Sequence, residues 1–253
     1  MILGFDIGNS RTSVGIFSQL GVVPEKRFHY PTEKKFLIKK TISFIKEEIK
    51  GYQIKEAIFS CSVPELAPFY KKILISSFRL KTLEISAKLK LNLKINYQNP
   101  KKLGVDRLVN AVACLNEYQG NFLIIDLGTA TTFCLVLADG SFEGGLILPG
   151  IKTSLDSLFY NASHLPKIKV TKPKEMIAKD SKGSIEAGLF YGQVSLIEGL
   201  IAKIEKKSKK KLQVVLTGGF AEFIGENLNR SVIIDPFLTL KGIKYIYDLN
   251  KVH

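Results

Sequence analysis

Two apolar runs, each followed by the same polar turn, set the rhythm of the chain. Ile2–Phe5 leads into Asp6-Ile7-Gly8-Asn9-Ser10 and then a second run, Ser13–Phe17. The order returns at Phe122–Ile125, Asp126-Leu127-Gly128-Thr129-Ala130 and Thr132–Leu137, 120 positions further on. Both copies read as strand, Asp-x-Gly turn, strand. Each second strand runs out in turn residues, Gly21 and Pro24 in one copy and Asp139-Gly140-Ser141 in the other. A recurrence of this kind marks an internal duplication.

Between and after these openings the period changes. Leu37, Thr41, Phe44, Ile45, Glu48 and Ile49 recur at helical spacing, and Gly51 supplies a stop. Ala57–Val63 reads as a buried strand closed by Pro64. Val105, Leu108, Val109, Val112 and Leu115 mark a second amphipathic helix, ended by Gly120. Ile185–Ile204 predicts a long helix, and Gln213–Leu216 a buried strand ending in Thr217-Gly218-Gly219. Gly144-Gly145-Leu146-Ile147-Leu148-Pro149-Gly150 reads as a buried strand whose glycines permit close approach to a ligand or another strand. Strands alternating with helices predict an α/β fold. The division falls near Gln119–Asn121, giving domains of residues 1–119 and 120–253.

Composition narrows the class. The chain has 253 residues, 45% hydrophobic and 24% charged, as expected for a globular protein with a sizeable core. No stretch approaches the roughly 20 consecutive apolar residues that span a bilayer, and Asp6 interrupts any secretory signal, so no membrane partner and a cytoplasmic location are expected. Cys61, Cys114 and Cys134 lie in apolar contexts without metal-like spacing and read as buried free thiols. His29, His164 and His253 are too far apart in sequence to form a local metal motif. The formal charge of +14 raises nucleic-acid binding, but the lysines are scattered through Glu33–Lys40, Phe69–Lys94 and Lys203–Lys211. A solvated basic face that attracts anionic substrates follows, and specific nucleic-acid binding is not expected.

The Asp-x-Gly turns carry the first candidate chemistry. Glycine lets the backbone approach phosphate oxygens, and free N–H groups with Ser10, Thr12 or Thr129 are donors to them. Asp6 suits Mg²⁺, directly or through water, because that cation takes oxygen ligands. Arg11 reads equally as a phosphate contact or a surface ion pair. Gly104-Val105-Asp106-Arg107 opens the second helix. Asp106 is there either a carboxylate favoured by the helix dipole or a general base, with Arg107 binding an anionic group. No P-loop and no Gly-x-Gly-x-x-Gly is present in the sequence.

In series, these segments resemble the type III pantothenate kinases. The matching stretches are DIGNS at Asp6, CSVPE at Cys61, YQNPKKLGVDRLVNA at Tyr97, DLGTATT at Asp126, GGLILPG at Gly144, LFYNASHLP at Leu158, LTGG at Leu216 and DPFLTLKGI at Asp235. The resemblance implies duplicated domains of the actin-like, ribonuclease H-like type shared with sugar kinases and Hsp70, and ATP-dependent phosphorylation of pantothenate, the first step of coenzyme A synthesis. It implies that Asp6, Ile7, Gly8, Asn9, Ser10, Arg11, Thr12 and Ser13 form the ATP phosphate loop, with Asp6 near Mg²⁺. Tyr97, Gly104, Val105 and Arg107 then bind pantothenate, and Asp106 accepts its proton. Asp126 is implied to hold a monovalent cation, K⁺ or NH₄⁺, and Thr129 to contact ATP.

The family's substrate-binding Asn-Thr falls on Asp180-Ser181, before Ala187-Gly188. Ser181 keeps the hydroxyl, and Asp180 replaces an amide by a charge. Ser10 stands where the family commonly has Thr and keeps the donor. A homodimer with active sites where subunits meet is implied as well, with Ser181 opposite the partner's Asp106. The alternative is a non-catalytic nucleotide-binding relative acting as a transcriptional regulator. The joint presence of Asp106, Arg107, Asp126 and both glycine loops argues against it, and no additional motif supports a phosphohydrolase.

Overall fold

Apolar runs beside a glycine turn favour a hairpin buried on both faces, and each half of the protein is built on one such hairpin. The computed structural model describes residues 1–32, 38–162, 165–166 and 168–251; Leu37, His164 and His253 lie outside them. The chain divides into two units. The first comprises Met1–Gln119, Gly140–Phe142 and Phe237–His253, and the second Gly120–Asp139 and Glu143–Pro236. The sequence division at 119/120 assigns the C-terminal helix to the second half, whereas its contacts place it in the first unit.

The first unit runs β1 (Ile2–Ile7), β2 (Arg11–Phe17), β3 (Lys26–Pro31), α1 (Ile38–Glu48), β4 (Glu56–Cys61), α2 (Ala67–Ser76), β5 (Lys81–Glu84), β6 (Lys94–Ile95) and α3 (Val105–Glu117). Its main sheet has the order β3-β2-β1-β4-β5. β1 pairs antiparallel with β2 and parallel with β4, and Asp6 stands level with Ser13 on one side and Ser60 on the other. β6 pairs with Ser141 and Phe142. Leu3, Phe5, Ile7, Val14, Ile16 and Phe59 fill the centre of its core. All but Phe59, which lies on β4, come from the two strands flanking the first turn, so burying them fixes where that turn emerges.

The second unit runs β7 (Asn121–Leu127), β8 (Ala130–Val136), β9 (Ser141–Pro149, entering from the first unit), α4 (Ile151–Asn161), α5 (Ser181–Ser208), β10 (Leu212–Thr217), α6 (Ala221–Gly225) and β11 (Ile233–Ile234). Read from one edge, its strands lie β9-β8-β7-β10-β11, the same third-second-first-fourth-fifth order as the first sheet. β7 is antiparallel to β8 and parallel to β10. The duplication in sequence is thus a duplication of topology. The chain closes with α7 (Leu238–Asn250), back in the first unit. There Gly242 lies so close to α3 that a Cβ would come within 2.2 Å of the Val109 carbonyl oxygen.

Two elements depart from the sequence reading. α5 starts one turn before Ile185 because Asp180 caps it: its Oδ1 accepts from the Gly183 N–H at 2.9 Å. β9 is expected as a buried strand, yet Leu146 is 38% and Ile147 63% exposed. Among the described residues the strand also lacks a neighbour along most of one edge. β6 covers the edge of β9 only at Ser141 and Phe142, and no described strand continues that cover. Among the described residues one helix, α5, is long and apolar enough to cross a membrane; its Ile185, Phe190, Val194, Ile197 and Ile201 are buried within the second unit.

Candidate active site

The first Asp-x-Gly turn is built at the end of β1. Gly8 N–H donates to the Arg11 carbonyl at 3.1 Å, closing a tight loop that leaves Asn9, Ser10 and Arg11 exposed. A Cβ on Gly8 would meet that same carbonyl at 3.0 Å, so a side chain would press the loop open. Asp6 is half-buried at the strand end. Ile7 is fully buried and brings only its backbone to this place. Ser13 faces the same end of the sheet as Asp6. Thr12 differs from the sequence reading of its side chain. Its hydroxyl is fully buried, 2.9 Å from the Thr32 hydroxyl and 3.2 Å from that of Tyr70, so it points into the unit rather than toward the loop surface.

Tyr97 and Gly104–Arg107 come together in the same unit. Gly104 caps α3, and the Arg107 N–H donates to Asp106 Oδ1 at 2.9 Å, folding the carboxylate back onto the helix start. A Cβ on Gly104 would lie 2.5 Å from that oxygen. The glycine of Gly-x-Asp-Arg is therefore what makes room for the aspartate. Oδ2 has no protein partner among the described residues. Asp106 is the acidic residue in the first turn of α3, where the helix dipole favours a carboxylate. Arg107 is only 4% exposed, with its guanidinium carbon 5.8 Å from the Tyr97 ring and 5.5 Å from the Phe142 ring. Such contacts contribute about 0.5–2 kcal/mol and, more usefully, hold the planar fork in one orientation. Beside them an open cleft of about 640 Å³ is lined by Tyr97, Gln98, Asn99 and Lys102.

Phe142 is the residue that sequence reasoning passed over. It is fully buried, edge-on to Tyr97 at 6.5 Å between centroids, and its carbonyl accepts from the Asn96 N–H at 2.9 Å. Its only signal in the sequence is an aromatic between a turn and the Gly144-Gly145 pair. Its proximity to Tyr97 is set by the β6–β9 pairing and by nothing local.

The second unit carries the other turn. It is one residue tighter than the first, since Leu127 pairs with Thr131 where Ile7 pairs with Thr12. Two glycines from elsewhere in the unit crowd around it. Gly150 N–H donates to the Thr129 carbonyl at 3.0 Å, and a Cβ there would strike the Gly128 oxygen at 2.2 Å. Gly218, at φ +92°, lies where a Cβ would be 2.5 Å from Asp126 Oδ1. The Thr217-Gly218-Gly219 turn and the Pro149-Gly150 corner thus both serve close packing around Asp126–Thr129. Thr129 is exposed, and its carbonyl also accepts from the Thr153 hydroxyl at 2.6 Å. Ser181 opens α5 with its side chain exposed, directly after the Asp180 cap.

Among the described residues, no group of three or more His, Cys, Asp or Glu side chains could hold a metal. A cation at Asp6 or Asp126 would therefore draw most of its oxygen ligands from backbone, water or phosphate, which fits Mg²⁺ and alkali ions. Each unit thus carries a half-buried carboxylate at a strand end beside a glycine turn, Asp6 in the first and Asp126 in the second.

The family profile of the type III pantothenate kinases matches residues 2–203. A type III pantothenate kinase from Bacillus cytotoxicus is 35% identical over 257 residues, covering 100% of this chain and 97% of the relative. The chain belongs to the type III pantothenate kinase family. Membership makes it a kinase that uses ATP. The fold agrees with solved structures of other activities. A Campylobacter jejuni protein described as a candidate Baf family transcriptional activator superposes with a TM-score of 0.62 at 20% identity, over 98% of both chains. The ethanolamine utilization protein EutJ from Carboxydothermus hydrogenoformans gives 0.59 at 15%, over 96% of this chain and 89% of that one. A ROK family glucokinase from Streptomyces griseus, solved with glucose and AMPPNP, gives 0.57 at 10%, over 98% of both. At those identities the likeness is one of fold alone, mixed α/β sheets flanked by helices.

Proposed function

We propose that this protein transfers the γ-phosphoryl group of ATP to the primary hydroxyl of pantothenate, giving 4′-phosphopantothenate in the cytoplasm. The full-length match to the family carries the reading. In this reaction the acceptor oxygen forms a bond to phosphorus as the bond to the β-phosphate oxygen breaks, and the acceptor proton must leave. Asp106 takes that proton. Its Oδ2 is the acceptor, while Oδ1 stays engaged with the helix start. Arg107 pairs with the pantothenate carboxylate, its fork aligned by Tyr97 and Phe142. The cleft beside Tyr97 takes the rest of the substrate.

Asp6, with the backbone of Gly8–Arg11 and the side chains of Ser10 and Ser13, receives the ATP phosphates and their Mg²⁺. Asp126 holds K⁺ or NH₄⁺, and Thr129 contacts ATP. A monovalent ion adds positive charge where the phosphates crowd together, and positioning with charge neutralisation is the main work in phosphoryl transfer.

The working form is a homodimer, in which Ser181 of one protomer completes the pantothenate site of the other. Support comes from α5 itself. Ser181, Gly188, Gly192, Ser195 and Gly199 share one face, away from the buried Phe190, Val194 and Ile197. At Gly188, Gly192 and Gly199 a Cβ would meet nothing within 4 Å. A second copy on this face and over β9 would bury the exposed Leu146 and Ile147.

ADP release on mixing the protein with Mg-ATP and pantothenate tests the activity. We expect turnover that needs pantothenate and rises several-fold in K⁺ or NH₄⁺ but not Na⁺. No pantothenate-dependent ADP would overturn the function. Equal rates in sodium and potassium would remove the role given to Asp126 alone.

A further inference from the structure

Beneath the first turn lies a set of buried hydroxyl groups that the mechanism does not use. Thr12 is the first residue of β2 to be fully enclosed, at 0% exposure. Its hydroxyl meets that of Thr32, just past β3, at 2.9 Å, and that of Tyr70, on α2, at 3.2 Å. Thr32 reaches the turn a second way, through its N–H, which donates to the Ser10 carbonyl at 3.1 Å. Tyr70 is itself fixed in the core, 5% exposed and packed against Phe5 and Phe69 with centroids 6.5 and 6.0 Å away. Tyr30, level with Thr12 across the β2–β3 ladder, places another phenol at the same depth. Burial, with Tyr70 beside it, pushes the Tyr30 pKa far upward, so the phenol stays neutral.

A buried hydroxyl cluster could be mere core filling, yet apolar residues would fill the space without the cost of burying polar groups. Its connections point elsewhere. One end is the core helix α2 and the other is the backbone of the exposed turn. The second unit repeats the device: Thr131, at the position equivalent to Thr12, is also fully buried, and its hydroxyl is reached by Gln193 Nε2 of α5 at 3.4 Å. In each unit a threonine directly behind the glycine turn is bonded to a helix of that unit. Glycine turns are loose by themselves, and a loop that must present its backbone to phosphates loses affinity if it has to be ordered on binding.

We propose that Thr12, Thr32 and Tyr70 are positioning residues that hold the Asn9–Arg11 turn in its phosphate-receiving shape, so that Tyr70 governs nucleotide affinity from within the core. This rests on the reading of the first turn as the ATP phosphate loop. The Tyr70 hydroxyl donates to or accepts from Thr12, and the phenol never touches the nucleotide.

The experiment is steady-state kinetics with each substrate varied in turn, together with calorimetric titration of ADP, on wild type, Tyr70→Phe, Thr12→Val and Thr12→Ser. Tyr70→Phe keeps the ring and its packing, and removal of one buried hydrogen bond should raise the KM for ATP and the Kd for ADP about fivefold. The KM for pantothenate should stay within twofold. Thr12→Val should weaken nucleotide binding at least as much, and Thr12→Ser, which restores the hydroxyl, should recover most of it. Nucleotide constants within twofold of wild type in both Tyr70→Phe and Thr12→Val overturn the proposal. So does a fall in melting temperature with both KM values moving together, the signature of a purely structural cluster. If the wild-type protein turns over but Asn9 and Ser10 variants bind nucleotide normally, the reading of the turn fails first and the proposal falls with it.

Discussion

Asp106 shows how one side chain serves structure and chemistry with different atoms. Oδ1 accepts the Arg107 N–H and sits at the positive end of α3, an interaction worth about 0.3–1 kcal/mol. Asparagine in its place presents a carbonyl oxygen to the same N–H, so the helix start survives while the basic oxygen is lost. Asp106→Asn should therefore lower kcat by roughly 10²–10⁴-fold with the KM for ATP unchanged. A kcat within a few-fold of wild type would leave Asp106 a capping carboxylate only. Arg107→Lys should act on binding instead. Lysine keeps the charge but loses the planar fork that lies against Tyr97 and Phe142, so the KM for pantothenate should rise with little change in kcat.

The helix that carries both residues is held by α7. Thr239 donates to Asn110 Oδ1 at 2.8 Å, Lys241 pairs with Glu117 at 2.6 Å, and the Tyr245 hydroxyl donates to the same carboxylate at 2.5 Å. Burial, then the bond to Glu117, pushes the Tyr245 pKa up to about 12, and burial with Glu56 does the same for Tyr247. Both shifts favour the protonated phenol in the folded state. The stability they contribute is complete below the unfolded tyrosine value near 10, and is lost as pH rises through about 12. The melting temperature should fall over that interval, and Tyr245→Phe should make the fall shallower. An identical alkaline profile in Tyr245→Phe would show that this contact does not link α3 stability to pH.

For the whole molecule, the exposed residues decide more than the buried ones. The proposed homodimer would cover Leu146 and Ile147 on β9 and the stripe of glycine and serine on α5. In light scattering at micromolar concentration the protein should have the mass of two chains. Gly192→Leu, which adds a side chain where a partner helix would pack closely, should shift it toward one chain. Activity should fall with it, because Ser181 would then face no partner site. A wild-type protein that is monomeric and fully active would overturn the shared site.

Much of this was legible from residue order alone. The duplicated hairpins, the α/β class and the Gly-x-Asp-Arg helix start depend on period, turn chemistry and dipole, all acting over a few residues. Asp180 also carries a local signal, since an acidic residue before a helical run is a start signal, and its Oδ1 accepts from the Gly183 N–H. Other features needed the folded chain. Thr12 reads as a loop donor until Tyr70 and Thr32, 58 and 20 positions away, draw its hydroxyl inward. Phe142 becomes part of the Arg107 setting only because β6 pairs with the start of β9. The C-terminal helix joins the first unit because Gly242 lets it lie against Val109. Local sequence determines which way a side chain alternates, but its burial and its partner depend on segments far away in the chain. Those were decided by tertiary packing.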